Sequence, residues 1–407
     1  MKVLIVGSGG REHALAWKLS ASPELDELHA APGNPGIAAL GQCHPVRAED
    51  GEGLLSLCRE LGIDLVVVGP EAPLVVGLVD TLRRGGVAAF GPTRAAARIE
   101  GSKSFAKDVL EAAGVPTAER LAVARPPCVV KIDGLAAGKG VFVCHTQDEL
   151  DAGLRGASAL GRDLMIEELL EGEEVSLFAI SDGERALALA PAQDFKRLGE
   201  HDTGPNTGGM GAYSPVRGLG EAEVEELLET VHRPVLAELA RQDAPFAGLL
   251  YAGLMLTENG PRVLEFNCRF GDPETQAILP RIDGDLLPLL RGSATGELAG
   301  EVSFEDGAAV TVVLAGGDYP ARSDSGTPID GVEDAEGTGA LVFHAGTALQ
   351  GGRLVTNGGR VLAVTATGDD VDAARMRAYE AAGRISFAGM RYRRDIALAA
   401  AEGHVRS

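Results

Sequence analysis

The residue types best suited to chemistry lie between Leu249 and Gln276. Two apolar runs flank Glu258-Asn259-Gly260, and an Asn-Gly step between such runs signals a hairpin because both residues tolerate positive φ. Strand side chains alternate with period two, so Val263, Glu265 and Asn267 share one face of the return strand, and Leu264 and Phe266 the other. The second face can enter a core. The first sets a carboxylate beside an amide oxygen, a donor pair suited to a hard, partly hydrated cation such as magnesium. Arg269 and Asp272 follow at once, and a carboxylate beside an arginine at a strand exit can hold and neutralise metal-bound phosphate. The bland alternative is an edge strand carrying a solvated Glu, Asn and Arg.

Point positive charge is scarce and unevenly placed. The chain has seven lysines against thirty arginines, and five of the seven fall between Lys103 and Lys196. Genome composition could equally set the overall ratio. Lys103 starts a helix predicted over 102–113, ended by Gly114 and the extended Val115-Pro116. Cys128-Val129-Val130-Lys131 reads as a strand that ends in lysine and runs into the glycine-rich 133–140, after which Val141–Cys144 returns. This is not a P-loop, which would need Ser or Thr after the lysine and then a helix. A glycine hairpin between two strands can instead fold over nucleotide phosphates, with N–H groups and Lys139 pointing inward, and can move as a lid. Leu169 and Leu170, between two predicted sheets, could sandwich an adenine. An ordinary acidic connector is the plainer reading of that stretch.

The elements that must position these groups follow from periodicity. Val3–Val6, Leu28–Ala31, Leu65–Val68 and Val87–Phe90 are short apolar strands, each followed by a glycine- or proline-bearing loop. Strand, glycine turn and helix open a doubly wound parallel sheet, in which ligands collect outside the carboxyl ends of the strands. The first loop lacks the third glycine of the dinucleotide fingerprint, so a phosphate-bearing small substrate fits better than a dinucleotide. The glycine-dense 203–211 loop offers backbone donors for a carboxylate or phosphate. A disordered surface loop is its alternative. His201 receives no chemical role. Strands from Ala308, Ala340 and Arg360 and a helix from Val371 to Gly383 form a small α+β unit, with Gly316–Pro320 a candidate contact to the cleft.

At 407 residues the chain exceeds one compact core, and two to four domains are expected. A formal net charge of -22 argues against broad binding to nucleic acid or anionic membrane. Five cysteines without CxxC spacing read as buried thiols in a reducing compartment. No signal peptide or membrane-spanning run is evident, so a cytoplasmic protein is expected.

Six stretches together resemble the ATP-grasp ligases, and more closely the phosphoribosylamine–glycine ligase family. They are VGSGGREHA (6–14), PGNPG (32–36), GPEAPL (69–74), KIDGLAAGKGV (131–141), HDTGPNTGGMGAY (201–213) and LEFNCRFGDPE (264–274). The resemblance implies an α/β and α+β multidomain fold. An amino-terminal parallel-sheet domain would span 1–100, an ATP-grasp core 101–300 with a mobile lid at about 118–187, and a small carboxyl-terminal α+β domain 301–407.

The same resemblance implies MgATP-dependent joining of glycine to 5-phosphoribosylamine, with manganese as an alternative ion, by a monomer or weak dimer in purine biosynthesis. Glu265 and Asn267 would ligate the metal. Lys103, Lys131, Gly138, Lys139, Glu168, Leu170 and Lys196 would contact ATP. Gly9, Gly10, Arg11, Glu12, Asn34, Pro35, Gly36, Glu71, Asp202, Asn206, Thr207, Gly208 and Gly209 would face the amine and glycine substrates. Arg269, with Lys131, would stabilise the transferred phosphoryl group. Many ATP-grasp enzymes add a metal carboxylate from the preceding strand, but Leu249–Thr257 contains no acid and that role stays unassigned. A carboxylase or formyl-transfer ligase of the same architecture and a non-enzymatic nucleotide-binding module are the competing readings.

Overall fold

The computed structural model describes residues 1–135, 140–159 and 163–403. Five parallel strands, β1 (Lys2–Gly7), β2 (Glu27–Pro32), β3 (Gln42–Cys43), β4 (Leu65–Val68) and β5 (Ala88–Phe90), form a sheet in the order β3-β2-β1-β4-β5. The apolar runs Val3–Val6 and Leu65–Val68 are buried throughout, as both faces of a parallel sheet require. Helix Gly10–Ser20 follows the first glycine turn. Helix Lys103–Ala113 then starts at a Ser102 cap, whose hydroxyl accepts from Phe105 N at 3.2 Å, and ends at left-handed Gly114.

Two antiparallel sheets follow. Strands β6 (Cys128–Ile132), β7 (Val141–Cys144) and β8 (Leu164–Glu168) pair in the order β7-β6-β8. One face packs Cys128, Val130, Ile132 and Cys144 against Leu150 and Ala157 of helix Gln147–Ala159, which leaves the other for a ligand. The second sheet contains β9 (Glu173–Asp182), β10 (Ala186–Ala188) and, after four short strands, β15 (Ala247–Thr257) and β16 (Gly260–Asn267). Those four are β11 (Gln193–Asp194), β12 (Arg197–Gly199), β13 (Thr203–Asn206) and β14 (Gly211–Ser214).

The β15–β16 hairpin corrects two expectations. Its loop is Glu258-Asn259, and positive φ is taken at Gly260 alone, which already pairs with Thr257. Further along, Gly253 pairs with Glu265 but Leu254 with Val263, so Leu264 is an extra residue. Such a bulge resets the alternation. Val263 and Phe266 therefore share the core, while Leu264 joins Glu265 and Asn267 on the cavity side.

The last five-stranded sheet runs β11, β14, Ala308–Ala315, Arg360–Gly368 and Leu341–His344, so strands from 193–214 are built into it. Helix Val371–Ala382 covers it through Ala374, Ala378, Ala381 and Ala382. A separate three-stranded antiparallel sheet, in the order Asp324–Pro328, Arg353–Gly358 and Thr347–Gln350, was not foreshadowed by periodicity. Cys43 is exposed and the other four cysteines are buried, all five unbridged. Among the described residues no helix is long and apolar enough to cross a membrane.

Candidate active site

A cavity of about 850 Å³ lies between the lid-like sheet β7-β6-β8, strand β16 and the β12–β13 hairpin. Alternation sends Val129, Val141, Val143 and Met165 of the three-stranded sheet into it as an apolar wall. Opposite stand Leu264, Glu265 and Asn267. The expected acid–amide pair does share the cavity face.

Lysines line the same cavity. Lys131, the penultimate residue of β6, extends to the bulge and donates to the Leu264 carbonyl at 2.9 Å. It also meets Glu167 Oε2 at 2.6 Å, while Lys107 reaches Glu167 Oε1 at 2.6 Å. All three side chains are almost fully buried. Lys103 donates to the Gly134 carbonyl at 3.1 Å, and burial pulls its ammonium below the ordinary lysine value, with Lys131 adding to the effect and Glu265 opposing it. Lys196 bonds Glu174 and lies 3.9 Å from Glu265. Burial would lower Lys196, but Glu174 and Asp194 outweigh it and raise it well above the usual range. Burial would likewise raise Glu265. Lys196, Lys131 and Lys103 prevail and hold its carboxyl below the ordinary value.

Arg269 is the hub of the strand exit. Its guanidinium reaches Glu71 at 3.3 Å and Glu100 at 3.2 Å, and donates to Asn267 Oδ1 at 3.1 Å. Burial opposes its charge, but the two glutamates raise it further above the normal arginine value. Cys268 N donates to Glu100 Oε2 at 2.7 Å, tying the exit to helix Arg94–Gly101. An amide oxygen keeps a second lone pair after accepting from Arg269. One carboxylate and one oriented amide oxygen fit a hard divalent ion that fills its shell with water and phosphate oxygens. Among the described residues no group of three or more His, Cys, Asp or Glu is placed to hold a metal.

The amino-terminal residues divide. Arg11 and Glu71 line the cavity. Arg11 donates to the Phe270 carbonyl at 3.1 Å and pairs with Glu12 at 2.6 Å. Glu12 is 2% exposed and also accepts from Gly9 N at 2.6 Å. Its side chain fills the space that a Cβ at Gly69 would enter, 2.0 Å away, so that glycine serves packing. Gly9, Gly10, Glu12, Asn34, Pro35 and Gly36 lie outside the cavity lining. Asn34 caps helix Pro35–Ala38 by accepting from Ile37 N at 3.0 Å, and donates to the Ser8 and His344 carbonyls at 2.9 and 2.8 Å. Its side chain is committed to holding the loops together. Gly36 packs under the His13 ring, where a Cβ would come within 2.2 Å.

On the far side, Asp202, Asn206, Thr207 and Gly208 line the cavity. Thr207 Oγ1 donates to the Lys196 carbonyl at 2.8 Å, so that hydroxyl fastens its own loop. Gly208 N donates to Tyr319 Oη at 2.8 Å, which brings the expected 316–320 segment to the cleft. Gly209, with φ +105°, lies against Pro273 and outside the lining. Arg360 pairs with Asp272 at 3.1 Å and bonds the Gly208 carbonyl. Glu168 and Leu170 both line the cavity, but the Glu168 carboxylate is occupied by Arg262 at 3.1 Å and Glu119 N at 3.0 Å. Gly138 and Lys139 fall outside the described residues.

Sequence reading missed Glu167, Lys107, Glu100 and Arg360. Glu167 alone left a local signal. It stands on β8 beside Glu168, and alternation must turn one of two adjacent acids inward.

Three family models match the chain. Those described as phosphoribosylglycinamide synthetase N domain, ATP-grasp (A) domain and C domain match residues 1–100, 101–275 and 309–399. A phosphoribosylamine–glycine ligase of Streptomyces coelicolor is 50% identical over 418 residues, covering 98% of this chain and 100% of the relative. One from Mycobacterium leprae is 48% identical, with 100% of both chains covered. The crystal structure of phosphoribosylamine–glycine ligase from Thermotoga maritima superposes with a TM-score of 0.85 at 34% identity, covering 97% of this chain and 100% of that one. An ADP complex of N5-carboxyaminoimidazole ribonucleotide synthetase shares the fold, with a TM-score of 0.67 at 17% identity and coverage of 94% and 96%. Full-length similarity and three consecutive matching domains agree with the site geometry: the chain belongs to the phosphoribosylamine–glycine ligase (phosphoribosylglycinamide synthetase) family.

Proposed function

We propose that this chain joins glycine to 5-phosphoribosylamine, with ATP converted to ADP and phosphate, in purine biosynthesis. The observation that carries the reading is one cavity lined by Glu265 and Asn267 together with Lys103, Lys131 and Lys196. Such an array suits a polyphosphate and its divalent ion. Magnesium or manganese, held by Glu265 and Asn267, would neutralise phosphoryl oxygens.

Glycine's carboxylate is a poor electrophile because it is already an anion. Attack of a carboxylate oxygen on the γ-phosphoryl group releases ADP and gives glycyl phosphate. The amine nitrogen then attacks the carbonyl carbon, phosphate leaves, and glycinamide ribonucleotide forms. No side-chain nucleophile is needed, because alignment and charge neutralisation carry the reaction. Lys131 and Lys103 neutralise ATP phosphates. The apolar wall with Leu170 takes the adenine. Arg269 steadies the transferring phosphoryl group, and Arg11, Glu71, Asn206 and Gly208 face the acceptor side. The lid excludes water, which would otherwise hydrolyse glycyl phosphate.

Domains divided near residues 100 and 300, a cytoplasmic location and a monomer or weak dimer accompany this reading. The test supplies purified protein with MgATP, glycine and freshly generated phosphoribosylamine. ADP release should require both acceptors together. Release that proceeds equally with either omitted, or with bicarbonate in place of glycine, rejects the proposal.

A further inference from the structure

The carboxyl-terminal segment holds a buried ion cluster with no role in the chemistry above. Arg393 is 1% exposed, although it lies near the end of the chain. Its guanidinium forks onto Asp395, with Nε to Oδ1 at 2.8 Å and Nη2 to Oδ2 at 2.6 Å. Nη1 reaches across to Asp202 Oδ1 at 2.8 Å and to the Arg197 carbonyl at 3.1 Å. The group stacks over the Phe195 ring with 5.0 Å from Cζ to the centroid. Asp395 Oδ2 in turn accepts from His201 N at 2.8 Å. Tyr379 Oη donates to the Arg393 carbonyl at 2.7 Å and fastens the segment to helix Val371–Ala382.

The contacts to Asp202, to the Arg197 carbonyl and to His201 N end on the base or tip of the β12–β13 hairpin. That tip has an unusual backbone: His201 and Asp202 adopt φ of 55° and 53°. Two consecutive non-glycine residues in the left-handed region persist only where their surroundings impose it. At the base of the hairpin, the paired residues Arg197 and Asn206 line the cavity. A desolvated, bidentate arginine is a rigid strut, because its planar fork fixes both partners at once.

We propose that Arg393 and Asp395 form a brace that sets the β12–β13 hairpin over the acceptor half of the cavity. Arg393 is thus a positioning residue for the acceptor substrates, and the Asp202 carboxylate acts as its anchor on the hairpin, not as a substrate ligand. This rests on the ligase reading for the identity of the acceptors, but not for the existence of the brace.

The test compares Arg393→Met, Asp202→Asn and the double variant in the full chain. The KM for phosphoribosylamine or glycine should rise about tenfold or more in each single variant, with the KM for ATP changed less than about twofold. The double variant should be no worse than Arg393→Met, because both substitutions cut one link. Amide hydrogen exchange over 197–206 should quicken in all three. Arg393→Lys keeps the charge but lacks the fork and should remain impaired. Additive KM effects would make Asp202 a direct ligand and overturn the brace, as would unchanged exchange or an equal rise in the KM for ATP. Should Arg393→Met fail to fold, Asp202→Asn decides through the same two readouts. If wild-type protein shows no glycine-dependent ADP release, the ligase reading fails while hydrogen exchange still decides the brace.

Discussion

Lys131 Nζ lies 2.6 Å from Glu167 Oε2, across the diagonal between neighbouring strands β6 and β8. Residues 129 and 131 share a face with 165 and 167, so the ammonium and carboxylate meet inside the cavity wall. Glu167 also holds Lys107, and two cations sharing one carboxylate leave net positive charge at the cavity wall.

Removing that carboxylate charge should do more harm than removing a surface acid. Glu167→Gln leaves two buried lysines uncompensated, at a loss of roughly 3 kcal/mol of stability, together with a raised KM for ATP. Urea unfolding and ATP titrations check both. A variant with wild-type stability would show that solvent already screens the pair.

Glu265→Gln should reduce kcat about a hundredfold while far-UV circular dichroism and the melting temperature stay near wild type. The side chain is 38% exposed and belongs to no apolar cluster, so little packing is lost. Undiminished turnover would remove Glu265 from the metal site.

Chelation by EDTA should abolish ADP release and leave the fold in place. Readdition of Mg2+ or Mn2+ should restore it, because two protein ligands alone hold a hard ion loosely. Activity that survives exhaustive chelation contradicts the proposed use of Glu265 and Asn267.

Burial lowers His13 to about 3 and His232 and His344 to about 4, from an ordinary value of 6.5; His344 adds to the effect on His13. The unfolded chain therefore binds protons near pH 6.5 that the folded chain refuses until about pH 4. Stability should be full above that upper value and fall as the pH drops through the window, by up to about 1.4 kcal/mol per pH unit for each histidine. Denaturant midpoints at pH 7.5 and 5 measure this. A flat profile would mean that these rings are protonated in the fold.

Gly209→Ala places a Cβ 2.4 Å from Pro273 Cδ on a backbone with φ +105°. A destabilisation of about 1–3 kcal/mol should accompany weaker acceptor binding, since Gly208 and Tyr319 are displaced with it. Thermal unfolding together with KM values for glycine and phosphoribosylamine would test it, and neutrality on both counts would show that the 206–211 loop is not a rigid part of the site.

Local chemistry announced much of this molecule. Apolar runs of four residues ending in glycine or proline declared the parallel sheet, because a strand buried on both faces has no polar alternation to hide. The Glu-x-Asn spacing put two oxygen donors on one face, and Lys131, next to the end of β6, lines the same cavity. All of these depend on neighbours within a few residues. The bulge at Leu264 escaped notice, because period-two reasoning assumes an unbroken ladder and nothing in 260–267 reveals an extra residue. The fates of Asn34 and Asp202 were hidden too. Asn34 is taken up by His344, 310 positions away, and Asp202 by Arg393, 191 positions away. Residue type and short-range spacing thus determined which groups could do chemistry. Only the tertiary structure decided which of them remain available for it, since long-range ion pairs and hydrogen bonds consume side chains that look identical in the bare sequence.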